Sequence, residues 1–269
     1  MLDLMLDKAE AGFVTGIKEI TDPMAIISHA FYGLKSHPLL IEALDKLADN
    51  MVVPRGMFAG DNLITFSKSL GFLSDKALMS AFQRHAVLPP ERGALWRLTT
   101  LAWAARTALR VEGDFVECGC YKGVSARVVS EVVGFADLPR RYFLYDLFQH
   151  DDSMPHHSML EHSETLVDEV RERFADMSNV TITQGRVPDS LAIAAPEKIA
   201  FMHLDLNNAE AEVGALEVLF DRISPGGVLI LDDFGWAAYK AQQVAEVTWM
   251  AERGYHILEL PTGQGMVIK

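Results

Sequence analysis

From Gly113 onward the chain repeats one pattern, a short apolar run followed by an amphipathic stretch. FVECG precedes SARVVSEVVGF, RYFLYD precedes HSETLVDEVRERF, and VTITQG precedes a short turn. IAFMHLD then precedes AEVGALEVLFDRI, and GGVLILDD precedes YKAQQVAEVTWMAERG. Strands alternating with helices pack into a parallel sheet through right-handed crossovers. The tail breaks the rhythm: YHILELP and GMVIK meet across the turn Thr262-Gly263-Gln264-Gly265. A link that short closes only an antiparallel pair. The expected fold is therefore α/β, a Rossmann-like, doubly wound, seven-stranded sheet with an antiparallel C-terminal hairpin, over residues 111–269.

Residues 1–110 read as an N-terminal helical extension or cap. Leu39, Leu40, Ala43, Leu44 and Leu47 fall at helical spacing, as do Leu98, Leu101, Ala102, Ala105 and Leu109. Asp75 is placed to cap DKALMSAFQRHAV, which stops before Pro89-Pro90. Trp96 and Trp103, seven apart, read as core. Phe13, Ile17, Ile20, Met24 and Ile27 would cover a substrate or join subunits of a homo-oligomer.

Charge narrows the partners. A net charge of −13 repels a phosphate backbone, so nucleic acid is not expected. No apolar run approaches the roughly 20 residues that span a bilayer, so a membrane is not expected either. MLDLMLDKAEAGF mixes acids into its apolar residues without a basic leader, unlike a secretory signal. The two cysteines, Cys118 and Cys120, sit too close along one strand exit to bridge, and no others complete a zinc set. The expected location is the cytoplasm.

In a doubly wound sheet ligands bind outside the carboxyl ends of the strands. The apolar runs here end in Glu117-Cys118-Gly119, Asp146, Gln184-Gly185, Asp205 and Asp232-Asp233. Any one of these acids could be a helix cap. Four along one edge crowd like charges unless something cationic joins them. The first turn reads Glu117-x-Gly119-x-x-x-Gly123, not the G-x-G-x-x-G of nicotinamide sites. A pyrophosphate wants a helix N-terminus without a nearby carboxylate. A carboxylate there suits a ligand with positive charge and no phosphate, and S-adenosylmethionine, with its sulfonium, ammonium and ribose diol, fits. Gly119 would let the backbone approach it, Gly123 would let the next helix pack closely, and Asp146 would accept the ribose hydroxyls. The candidate cofactor residues are Glu117, Gly119, Cys120, Tyr121, Gly123, Ser125, Asp146, Gln184, Gly185 and Asp205. Asp205, Asp232 and Asp233, at neighbouring strand ends, are the candidate metal ligands. Hard oxygen donors without Cys favour magnesium.

These stretches resemble class I methyltransferases, and more narrowly the macrocin O-methyltransferase family. The resemblance is carried by GDFVECGCYKG, YFLYDLF, FMHLDL, SPGGVLILDDFGW and LPTGQGMVIK, between Gly113 and Lys269. It implies a metal-dependent O-methyltransferase acting on a hydroxyl of a small, sugar-containing acceptor. It places Glu117, Gly119 and Asp146 around the cofactor, with Asp205, Asp232 and Asp233 on magnesium. Family members carry an acid or a histidine two positions after the first metal Asp as the proposed base. This chain has Asn207, whose neutral amide cannot take a proton. A substitute base could come from FQHDDSMPHHSMLEH, with His150, His156, His157 and His162, of which solvation is the ordinary fate. The candidate catalytic residues are then Asp205, Asn207 and His157. His203, inside an apolar strand, reads as a core histidine, and Gln242 and Gln264 could face the site. The alternatives are a non-catalytic cofactor-binding partner, a nicotinamide oxidoreductase, and a metal-independent N- or carboxyl-methyltransferase.

Overall fold

The computed structural model describes residues 25–27 (as backbone), 31–51, 57–150, 159 and 161–269. Phe13, Ile17, Ile20, Met24, His156 and His157 therefore lie outside the described residues. The chain divides into two compact units, Met1–Thr99 and Thr100–Lys269. Among the described residues no helix is long and apolar enough to cross a membrane.

The first unit is not wholly helical, contrary to expectation. It holds a three-stranded sheet in the order β1 (Ala25–Ile27), β2 (Met57–Gly60), β3 (Leu63–Thr65). β1 runs parallel to β2, and β2 antiparallel to β3. A two-residue turn, Asp61-Asn62, joins β2 to β3 with φ of 53° and 56°. Asp and Asn are among the few side chains that tolerate two left-handed residues in succession, which the twist of a tight hairpin requires. Arg97 then clamps the turn, its Nε 2.5 Å from Asp61 Oδ2 and its Nη2 3.0 Å from Oδ1. The helices of this unit start as expected. Ser36 caps α1 (His37–Asp49), and Asp75 caps α2 (Lys76–His85) by accepting from Leu78 N at 3.1 Å. Pro89 and Pro90 open the short α3 (Pro89–Gly93). The division between units falls inside α4 (Leu95–Ala108) rather than near 110. Its first turn belongs to the smaller unit because Trp96 stacks edge-on against Phe58 and at a tilt against Phe72, both at 5.1 Å.

The second unit bears out the sheet. Seven strands run in the order β6-β5-β4-β7-β8-β10-β9. They are β4 (Asp114–Cys118), β5 (Tyr142–Asp146), β6 (Val180–Gln184), β7 (Ile199–Leu204), β8 (Ile223–Leu231), β9 (Leu258–Glu259) and β10 (Gly265–Ile268). All neighbours are parallel except β10, which is antiparallel to both β8 and β9. Crossover helices α5 (Val124–Val133), α6 (Leu166–Arg173), α7 (Ala209–Leu219) and α8 (Lys240–Ala251) fill the intervals. Arg140 spans the Ala108, Leu109 and Gly113 carbonyls at 3.0–3.2 Å, satisfying the end of α4 and aligning the start of β4. One face of the sheet packs Val116, Met202, Leu204, Leu216, Leu231 and Met250 into a continuous core. From β4 the chain winds outward to β5 and β6, then returns to β7 on the other side. That reversal puts the switch point, where such sheets open a crevice, between Gly119 and Asp205.

Candidate active site

A cavity of about 450 Å³ opens at that switch point. Gly119, Tyr121, Asp146, Gly185, Asp205 and Asn207 are on its wall, so five of the candidate cofactor residues are brought together. Gly119 has φ +87°, and a Cβ there would stand 1.9 Å from the Asp205 carbonyl oxygen. The backbones of β4 and β7 meet at this point, with Asp205 N donating to Cys118 O at 2.8 Å. Asp146 accepts from Tyr121 N at Oδ2 and from Phe148 N at Oδ1, both at 2.6 Å. It is thus a turn residue and a cavity residue at once, its plane fixed by two amides.

The other five candidates act behind the wall. Glu117 is buried and spends its carboxylate inside the protein. Ser125 Oγ donates to Oε1 at 2.7 Å and Tyr142 OH to Oε2 at 2.9 Å. Ser125 therefore serves Glu117 rather than the cavity. Cys120 is buried, and desolvation pushes its thiol well above the usual range. Gly123 starts α5, and Gln184 donates to the Leu147 carbonyl at 3.3 Å.

On the side of the cavity after β5, Tyr121 reaches over the rim. Its hydroxyl donates to Glu161, and Lys122 Nζ lies 3.7 Å from the same carboxylate. The Tyr121 hydrogen bond, first, and Lys122 hold the Glu161 carboxyl below its ordinary range. The His162 ring stands edge-on to Tyr121 at 5.4 Å, and His150 stacks on His162 at 6.1 Å. His162 lines the cavity; among the described residues it is the loop histidine at the site. Asn207 also lines the cavity in a left-handed conformation, φ 55°, and its Oδ1 is buried without a hydrogen-bond partner.

Of the three expected metal ligands, Asp205 and Asp232 come together, with His203 beside them. Among the described residues, the one group of three with ligand atoms within 4.8 Å of one another is His203, Asp205 and Asp232. His203 is 1 % exposed, with Nδ1 3.4 Å from Glu117 Oε1 and Nε2 3.3 Å from Asp232 Oδ1. Burial alone would lower its pKa. Glu117 and Asp232 outweigh that and hold it well above the ordinary histidine value. Asp232 also accepts from Gln264 Nε2 at 2.8 Å, and Gln264 Oε1 from Thr262 at 2.9 Å, so Gln264 does face the site. The charge of Asp233 reaches the buried Glu212 and Glu246 of α7 and α8 and raises their carboxyl pKa values. Side chains alternate across a strand, and Glu117, His203 and Ile230 pair in register on one face. The same rule would have found His203, two residues before Asp205 and hence beside it. The cavity wall also includes Arg186, Asp189 and, in the first turn of α7, Glu210.

Comparison with known proteins finds relatives in sequence and in fold. The description macrocin-O-methyltransferase (TylF) matches residues 95–254. An 8-demethyl-8-(2,3-dimethoxy-α-L-rhamnosyl)-tetracenomycin-C 4′-O-methyltransferase of Streptomyces olivaceus is 32% identical over 161 residues. That match spans 52% of this chain and 60% of the relative. The solved O-methyltransferase NovP superposes with a TM-score of 0.57 at 19% identity, over 66% of this chain and 81% of its own. CalS11, a TDP-rhamnose 3′-O-methyltransferase of calicheamicin biosynthesis, gives 0.54 at 16%, over 89% and 96%. At these identities the structural likenesses speak for the fold.

Proposed function

The chain belongs to the macrocin-O-methyltransferase family, and from that premise we propose that it is an S-adenosylmethionine-dependent O-methyltransferase acting on a hydroxyl of a small, sugar-containing acceptor. The observation that carries the reading is the cavity at the β4–β7 switch point, with a fixed carboxylate on its wall and bare backbone at Gly119. S-adenosylmethionine, when bound, supplies an electrophilic methyl group on a sulfonium. The cavity volume falls in the range of small-molecule sites, roughly 300–1,000 Å³. An ionised Asp146 is acceptor-only and so matches a pair of ribose hydroxyls. Gly119 lets the cofactor lie against the backbone where any side chain would intrude.

Transfer from a sulfonium to an alkoxide-like oxygen neutralises charge, so this site has to orient two partners and exclude water rather than supply a strong acid. Asp205 stands at the cavity end of β7, in position to face the acceptor. Asn207 can accept a hydrogen bond from an acceptor hydroxyl through its unpartnered Oδ1, but it cannot remove the proton. Among the described residues, His162 is the imidazole on the cavity wall and the group best placed to do so. A cytoplasmic enzyme of secondary metabolism is the corresponding setting. Magnesium, when bound, would be held by Asp205 and Asp232, whose ligand atoms come within 4.8 Å of each other, and would supply a Lewis acid for the acceptor hydroxyl.

The direct test is formation of S-adenosylhomocysteine by the purified protein offered a panel of rhamnosylated and other glycosylated acceptors. A calorimetric titration showing no heat with either form of the cofactor would sink the reading. Asp146→Asn is expected to weaken cofactor binding about 10- to 100-fold, because one oxygen becomes an amide facing donors. Unchanged affinity by calorimetry would take Asp146 out of the cofactor site.

A further inference from the structure

We propose that Glu212 of α7 is a positioning residue: its buried carboxyl tethers the Leu206 amide and so holds the turn that presents Asp205 and Asn207 to the cavity. The tether stands on geometry alone, and its effect on turnover rests on the methyl-transfer reading.

β7 ends at Leu204 and α7 starts at Ala209, so residues 205–208 carry the chain from the sheet edge into the helix. Both ends of this link are fixed. Asp205 N donates to Cys118 O at 2.8 Å, and Asn208 Oδ1 caps the helix by accepting from Ala211 N at 2.9 Å. Between them the chain bends through Asn207 at φ 55°, a conformation that few side chains other than Asn and Asp adopt readily. Leu206 packs against the core, with Asp205 and Asn207 on the cavity wall to either side of it. Its N–H donates to Glu212 Oε1 at 2.8 Å.

That bond is not a helix cap. In a capping box the acid stands three residues after the cap and returns to the cap's own N–H. Glu212 stands one residue further on and reaches past Asn208, to the amide two residues before it. Its carboxyl therefore serves the turn rather than the helix end. An acid is a costly side chain to enclose completely, and Glu212 is fully buried. Helix formation does not call for it, because alanine or leucine would form the helix better and bury more cheaply. What this position supplies is an acceptor oxygen on a stem long enough to meet Leu206. Without it the Leu206 N–H has to find another acceptor, and Asp205 and Asn207 shift with the backbone. A misplacement of about 1 Å in a reacting site can cost about 100-fold in rate.

The test compares Glu212→Leu, which keeps the bulk, with Glu212→Gln, which also keeps an acceptor oxygen at the same reach. Exchange of the Leu206 amide is followed by NMR in the full chain labelled with [¹⁵N]leucine, the signal being assigned by its loss in Leu206→Met. Expected is protection of at least about 100-fold in the wild type, kept in Glu212→Gln and cut at least about tenfold in Glu212→Leu, while the β7 amides keep theirs. Glu246→Gln alters the neighbouring buried acid without touching the Leu206 acceptor, and it keeps the protection. With the acceptor best used in the panel above, Glu212→Leu lowers kcat/KM about 10- to 100-fold and Glu212→Gln stays within about threefold of the wild type. Calorimetric affinity for S-adenosylhomocysteine stays within about threefold in both variants. An unprotected Leu206 amide in the wild type overturns the proposal, even where Glu212→Leu fails to fold. So does equal protection in the wild type and Glu212→Leu, or failure of Glu212→Gln to preserve it. Loss of cofactor affinity as large as the loss of turnover would make Glu212 a residue of the general fold and overturn its role at this turn. Protection as expected, with no product from any acceptor, defeats the methyl-transfer reading and leaves the tether. Wild-type turnover in Glu212→Leu does the reverse.

Discussion

Gly119→Ala is expected to lower the melting temperature by roughly 5–20 °C and to abolish cofactor binding in whatever fraction stays folded. The added methyl would lie 1.9 Å from the Asp205 carbonyl oxygen and 2.5 Å from its carbon. Both atoms are backbone, tied down by the Asp205 N to Cys118 O hydrogen bond, so no side chain can swing aside. Strain at φ +87° adds about 1–3 kcal/mol, and forced overpacking about 1–3 kcal/mol more. Each kcal/mol is worth about 2–4 °C in a domain of this size. Gly134→Ala separates the two causes: its φ is +63°, yet nothing lies within 4 Å of the new methyl, so only the strain remains. Calorimetric melting curves decide it. If Gly119→Ala proved as mild as Gly134→Ala, the close approach of β4 to β7 would not be what demands glycine.

The same crossing of backbones explains what the sequence could and could not reveal. The sheet was readable because an apolar run five residues long, repeated between amphipathic stretches, has few other ways to bury itself. The reversed last strand followed from the length of one turn. Asp146, Gly119 and Asp205 were readable from position alone, since strand ends at a switch point have to face a crevice. Glu117 was not. An acid closing an apolar strand looks the same whether it meets a ligand or a buried Ser, Tyr and His, and those partners come from residues 8, 25 and 86 positions away. The hairpin at Asp61-Asn62 was hidden because its turn lacks the glycine that usually marks one.

Asp233's actual surroundings yield the second large effect. Glu246 is fully enclosed, and burial pushes its carboxyl up to about 8, with Asp233 reinforcing the rise and the neighbouring Gln242 amide pulling the other way. Glu212, across from it on α7, is raised as well, by burial and then by Glu246 itself. An unfolded glutamate ionises near its ordinary value of 4.5, while the folded one keeps its proton to about 8. Between those values the folded state binds more protons, so its stability falls as pH rises, by up to about 1.4 kcal/mol per pH unit per group. From pH 5 to 8 the wild type should lose about 2–5 kcal/mol by this route, or roughly 5–15 °C in melting temperature. Glu246→Gln keeps the shape and cannot ionise. It should match the wild type at pH 5 and exceed it at pH 8, its melting temperature changing less across the interval. Paired scans at several pH values read the effect together with the part of the Glu212 rise that Glu246 causes. Parallel curves would mean that Glu246 ionises normally and that its enclosure between α7 and α8 is more hydrated than its burial implies.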